Sequence, residues 1–90
     1  LTGDFNAHPD SEAIRLLRED AFGLIERTEG LGTTWHDYGR GNKPQIDYIF
    51  TRGMKAEGAA ELWTQNLNGI YLSDHYPVAV ELTREDGELI

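Results

Sequence analysis

An ionisable residue, Asp47, stands inside the apolar run Ile46-Asp47-Tyr48-Ile49-Phe50. The run follows Gly39-Arg40-Gly41-Asn42-Lys43-Pro44, a loop by every turn signal, and reads as a strand from Gln45 to Thr51. A charged side chain there is costly unless it is paired or hydrogen-bonded, so any fold of this chain must bring Asp47 a partner. An imidazole would gain a fixed tautomer and higher basicity from such a carboxylate. Backbone amides or a flanking base would satisfy the same demand, and this run alone does not choose between them.

Two further motifs flank the strand in sequence. Gly3-Asp4-Phe5-Asn6 ends a short β-like stretch, Leu1 to Phe5, before the turn Asn6-Ala7-His8-Pro9-Asp10. On an extended backbone Asp4 and Asn6 point the same way, past a core-facing Phe5, so a carboxylate and a carboxamide converge. As turn residues they would instead satisfy local backbone amides. Ser73-Asp74-His75-Tyr76-Pro77-Val78 precedes a strand in which Val78, Val80 and Leu82 alternate with Ala79 and Glu81. Asp74 and His75 are then expected at a sheet edge with side chains diverging.

The remaining elements are coarser. Asp10 or Ser11 caps a helix over about Ser11 to Asp20, with Glu12 in its first turn and an apolar stripe of Ala13, Ile14, Leu16, Leu17 and Ala21. Residues 22–32 read as a connection, Thr33-Thr34-Trp35 has β character, Ala59 to Thr64 reads as a strand, and Asn66-Leu67-Asn68-Gly69 as a turn. His8 and His36 fall in loops and read as surface residues. Trp35, Tyr48 and Trp63 read as core or sheet-face aromatics rather than substrate platforms. One helix and four or five strands suit an α/β layer.

Ninety residues allow at most one small domain. The net charge is −8, sixteen acids against eight bases, so nucleic acid is a possible partner but not one that charge favours. Arg40, Lys43, Arg52 and Lys55 flank Asp47 in sequence, as a phosphate-facing patch or as solvated charges. Without cysteine, any metal must be held by oxygen or imidazole. No apolar run approaches the roughly 20 residues of a membrane helix, and nothing in the motifs indicates a compartment.

Taken in order, the three motifs, with the helix after Ala7-His8-Pro9-Asp10-Ser11 and the Thr34-Trp35 pair, resemble the C-terminal part of the endonuclease/exonuclease/phosphatase superfamily, the deoxyribonuclease I-like metal-dependent phosphoesterases. The similarity runs from Leu1 to about Leu82. It implies the C-terminal portion of a four-layer α/β sandwich, with residues 1–90 expected to be a fragment of a single domain whose N-terminal half is absent. Such a fragment is expected to be inactive alone, to expose an apolar sheet face or edge, and to self-associate.

The resemblance also implies roles. Asp4 orients or deprotonates the attacking water, and Asn6 hydrogen-bonds the nucleophile or a phosphoryl oxygen. Asp47 pairs with His75, which contacts the phosphate and stabilises its developing charge. Asp74 lies near a divalent cation, magnesium or manganese, which the fragment alone is not expected to hold. Many members carry Arg where this chain has Gln45. The implied reaction is metal-dependent hydrolysis of a phosphodiester or phosphomonoester, its substrate unspecified among DNA, RNA, inositol phosphates, sphingomyelin and others. A non-catalytic scaffold or interaction module that retains the fold is the alternative.

Overall fold

The computed structural model describes residues 1–19, 23–40, 43–65 and 68–84. In chain order the elements are β1 (Thr2–Asp4), α1 (Glu12–Arg18), β2 (Ile25–Glu26), β3 (Asp47–Thr51), β4 (Met54–Ala56), β5 (Glu61–Leu62), β6 (Val78–Ala79) and β7 (Leu82–Arg84). The apolar run around Asp47 supplies the central strand of a β1-β3-β2 sheet, antiparallel on both sides. Its register sets Asp4 opposite Asp47 and Gly3 opposite Tyr48.

Side chains alternate across β3, so Tyr48 and Phe50 face one way and Asp47 and Ile49 the other. Tyr48 and Phe50 are buried with Ile14 of α1, and Phe5 stacks on both rings at 5.5 and 6.1 Å. Burying each of these large side chains contributes about 1.5–3 kcal/mol. Ser11 caps α1, its hydroxyl accepting from the Ile14 N–H at 3.3 Å. The helix shows the core only part of its expected stripe: Leu17 is half-buried, whereas Ala13 and Leu16 are exposed. Ala21 and the expected end at Asp20 lie outside the described residues.

Ala13 and Leu16 border an open apolar concavity of about 930 Å³, with Leu1, Leu24, Met54 and Leu82 among its other walls. An exposed apolar face of this kind was the expectation for a partial domain.

β4 and β5 run antiparallel to β7 and β6 as one interrupted ribbon. The Glu57 N–H donates to the Glu81 carbonyl and the Trp63 N–H to the Pro77 carbonyl, continuing the two ladders. Gly58, Ala59 and Ala60 together oppose Val80 alone, a bulge that splits the ribbon. This is why the single strand expected over Val78 to Leu82 appears as two pieces, and the strand expected over Ala59 to Thr64 shrinks to Glu61–Leu62.

Two further segments correct the reading of the sequence. The presumed connection 22–32 contains β2, whose pairing with β3 is extended by the Arg27 N–H to the Ile49 carbonyl. β4 was not anticipated, because its three residues gain strand form from β7 rather than from their own pattern. Phe22, Gly41, Asn42, Asn66 and Leu67, all within expected connections or turns, lie outside the described residues.

Candidate active site

Asp47 opens β3 on the face away from α1, and its partner is His75: the two side chains meet with Nδ1 2.8 Å from Oδ2. A buried threonine aligns them. The hydroxyl of Thr34 accepts from the backbone N–H groups of Ile46 and Asp47 at 3.0 and 3.1 Å, while its carbonyl accepts from Tyr76 at 2.7 Å. Trp35 forms a β-bridge with His75, and the His36 N–H donates to the Asp74 carbonyl. Residues 34–36 thus tie the start of β3 to the third motif. Thr34 was not identified as a functional residue from sequence, where only its weak β character stood out.

The other ring nitrogen of His75 faces two more carboxylates. Asp4 Oδ2 lies 3.7 Å from Nε2, and Asp74 Oδ1 lies 3.9 Å from it. Asp74 therefore stays beside His75 rather than diverging to the opposite side. Its second oxygen accepts from Trp35 Nε1 at 3.3 Å, and Lys43 Nζ sits 5.3 Å from the centre of that indole. Trp35 is thus a neighbour of the site, half-buried, rather than a core aromatic.

Asp4 also uses both oxygens, because its Oδ1 accepts the backbone N–H of Asn6 at 2.9 Å. Asn6 has φ 49°, so the extended alternation ends before it, and the turn role is the one that forms. Its side chain is exposed, and the backbone bond ties the residue to Asp4.

Several expectations do not survive the geometry. His36 is buried, not a surface residue: its ring packs between Tyr71 and Tyr76 at 4.4 and 4.3 Å. Trp63 takes the sheet-face alternative and not the core one, half exposed at the end of the β5–β6 ladder. Arg52 and Lys55 lie beyond the far end of β3, away from Asp47, whereas Lys43 approaches the site over Trp35. Gln45 turns inward, donating to the Thr28 and Asp47 carbonyls, so it shapes the strand entrance and not a phosphate contact.

Electrostatics favour a charged imidazole here. Burial pulls the His75 pKa down, but the Asp47 hydrogen bond, with the charges of Asp47, Asp74 and Asp4, outweighs it and the net shift is upward. With His75 protonated, three carboxylates against one imidazolium leave a formal charge of −2. A phosphate brought to Nε2 would meet like charges worth on the order of 4 kcal/mol each at about 4 Å and a surface-like dielectric. A cation would offset that repulsion. Asp4, Asp47 and His75 lie close enough together to hold one, and carboxylate oxygens with one imidazole suit a divalent ion. The Asp47–His75 bond uses Oδ2 and Nδ1, which leaves Asp4 Oδ2 and Asp74 Oδ1 beside Nε2.

No helix among the described residues is long and apolar enough to cross a membrane. Among curated proteins none matches the chain. Among solved structures, an endonuclease/exonuclease/phosphatase from Bacteroides vulgatus is similar over 93% of this chain, with 28% identity and a TM-score of 0.79. The chain spans 35% of the length of that structure. Residues 1–75, from the strand bearing Asp4 through the histidine that meets Asp47, match the sequence model of the Endonuclease/Exonuclease/phosphatase family. The shared α/β architecture and the match over most of the sequence agree, and the chain belongs to the endonuclease/exonuclease/phosphatase family.

Proposed function

We propose that the protein carrying this chain is a divalent-metal-dependent phosphoesterase, hydrolysing a phosphodiester or phosphomonoester by in-line attack of an activated water. The carrying observation is the line of three side chains in which Asp47 Oδ2 meets His75 Nδ1 at 2.8 Å and Asp4 Oδ2 stands 3.7 Å from Nε2. Asp4 Oδ2 is half exposed and faces the space beside Nε2, where it can hold a water and take its proton as the water oxygen bonds to phosphorus and the ester oxygen departs. Asn6, one turn position away, offers its amide hydrogens to that water or to a phosphoryl oxygen. His75, kept protonated and oriented by Asp47, presents Nε2–H to a second phosphoryl oxygen and stabilises the charge that builds there.

Asp74 Oδ1 is the atom we assign to a divalent cation, with magnesium or manganese the ions its oxygen chemistry suits. When bound, such an ion supplies charge neutralisation and a more acidic water. All four candidate catalytic residues are present and three converge, which makes a non-catalytic scaffold the weaker reading.

We also infer that residues beyond this chain complete the domain. The 35% share of the related structure and the open apolar concavity beside α1 support that reading. The activity is tested in the full-length protein with magnesium and a generic phosphodiester. Asp4→Ala and His75→Ala should each lower kcat/KM by roughly 10²–10⁴, and full activity in both would overturn the assignment.

A further inference from the structure

A second cavity, of about 260 Å³, adjoins the candidate site and shares His75 as a wall. Its other walls include His36, Tyr71 and Tyr76, then Ile70 and Leu72 at its side, with Gln65 and Ser73 as polar members. The three aromatic rings form one cluster, His36 lying at 4.4 Å from Tyr71 and 4.3 Å from Tyr76 with the planes tilted by 38° and 35°. Gly39 holds the cluster closed: its N–H donates to His36 Nδ1 at 3.1 Å, and a Cβ there would meet the Tyr71 ring at 3.1 Å. That bond uses Nδ1 as an acceptor and leaves the ring of His36 as an aromatic wall.

Ile70 and Leu72 are 63% and 86% exposed, large apolar side chains left in water at the margin of this cavity. Neither supports the core. Building on the phosphoesterase reading, we propose that this cavity binds an aromatic ring attached to the phosphoryl group, so that the substrate class is an aryl or heteroaryl phosphoester rather than a polyol phosphate. Three observations define the occupant. Sharing His75 sets the cavity beside the phosphoryl position. The volume lies just under the roughly 300 Å³ at which drug-sized pockets begin, room for one ring system and little more. Aromatic walls reward a planar partner by stacking, whereas most hydroxyls of an inositol or sugar would face apolar walls, with Gln65 and Ser73 the polar side chains there to meet a few of them.

The test is direct binding to the full-length protein with magnesium, comparing phenylphosphonate, cyclohexylphosphonate, methylphosphonate and glycerol 2-phosphate. Phenylphosphonate should bind at least about tenfold more tightly than methylphosphonate, as expected for burying most of one ring, and more tightly than the cyclohexyl compound. In Leu72→Ser and Ile70→Ser, both at exposed positions where folding is little challenged, the phenyl to methyl ratio should fall to within about threefold, as expected when apolar wall area is lost. Equal binding of the phenyl and methyl compounds overturns the ring site while leaving the phosphoryl site intact. Preference for cyclohexyl overturns the aromatic assignment in favour of an alkyl occupant, and preference for glycerol 2-phosphate overturns it in favour of a polyol. A ratio that survives both substitutions removes the cavity from the explanation. Failure of all four to bind overturns the phosphoesterase reading together with this one.

Discussion

His75 Nδ1 lies 2.8 Å from Asp47 Oδ2 across 28 positions of sequence, and this contact opposes the burial that by itself would lower the pKa of the imidazole. Its pKa is raised above the ordinary value of about 6.5. A histidine raised on folding adds stability that is fully present below the unfolded pKa and lost as pH rises through the folded one. In metal-free protein, the His75 ring resonance should therefore show a midpoint above 6.5, and Asp47→Asn should lower it. Stability should fall over the same interval as pH rises, and less steeply in the variant. An unchanged midpoint in Asp47→Asn would contradict the pairing.

Thr34 makes the second prediction, because one hydroxyl serves two backbone donors at the mouth of β3. Thr34→Val keeps the shape and leaves the N–H groups of Ile46 and Asp47 unsatisfied, at about 1–3 kcal/mol for each one that stays buried. Urea unfolding should report that loss. Catalytic efficiency should fall as well, through displacement of Asp47 from His75, and Thr34→Ser should restore both. Recovery of stability without activity in Thr34→Ser would show that the hydroxyl does not position the pair.

What could be read in advance follows from where each constraint originates. Asp47 announced its need for a partner because burial of a charge is a local cost, visible in five residues of sequence. The identity of the partner came with the third motif. His36 gave no such signal, since its burial is created by Tyr71 and Tyr76 from a distant segment. Asn6 misled through a backbone effect, for φ 49° breaks the alternation that an extended chain would have kept. β2 and β4 are too short to show a period, and exist only because β3 and β7 offer them ladders.

Tyr48 provides a third prediction, on the opposite face of β3 from Asp47. Its hydroxyl donates to the Ala7 carbonyl at 2.6 Å, with the Gln45 carbonyl at 3.1 Å. Burial, helped by the charge of Glu26, pushes the phenol up to about 12 from its ordinary 10. An acid raised on folding stays neutral while its unfolded counterpart ionises, so stability holds below pH 10 and declines between pH 10 and about 12. The full linkage corresponds to roughly 3 kcal/mol. Absorbance at the phenolate band should show one late-titrating tyrosine, absent in Tyr48→Phe. A difference spectrum between the two proteins centred on pH 10 would rule out the buried, hydrogen-bonded hydroxyl.

Asp74 carries the last prediction, and its contacts supply a readout independent of turnover. One oxygen accepts from Trp35 Nε1, and the other stands beside His75 Nε2. A divalent ion at Asp74 must therefore alter the environment of an indole whose other neighbour is the Lys43 ammonium. In full-length protein carrying Trp63→Phe, to lower the background, manganese should quench the emission of Trp35, and magnesium should compete with it. Asp74→Ala should weaken that response by about tenfold or more, in line with the loss of a ligand or its immediate support. It should raise the magnesium concentration needed for half-maximal activity by a similar factor, while chelation abolishes activity in the unsubstituted protein. Repulsion among Asp4, Asp47 and Asp74 gives the same experiment a second edge. If the carboxylates serve only His75, removing Asp74 lowers the His75 midpoint and leaves the manganese titration unchanged. If Asp74 holds the ion, the manganese titration moves even where His75 is replaced by Ala.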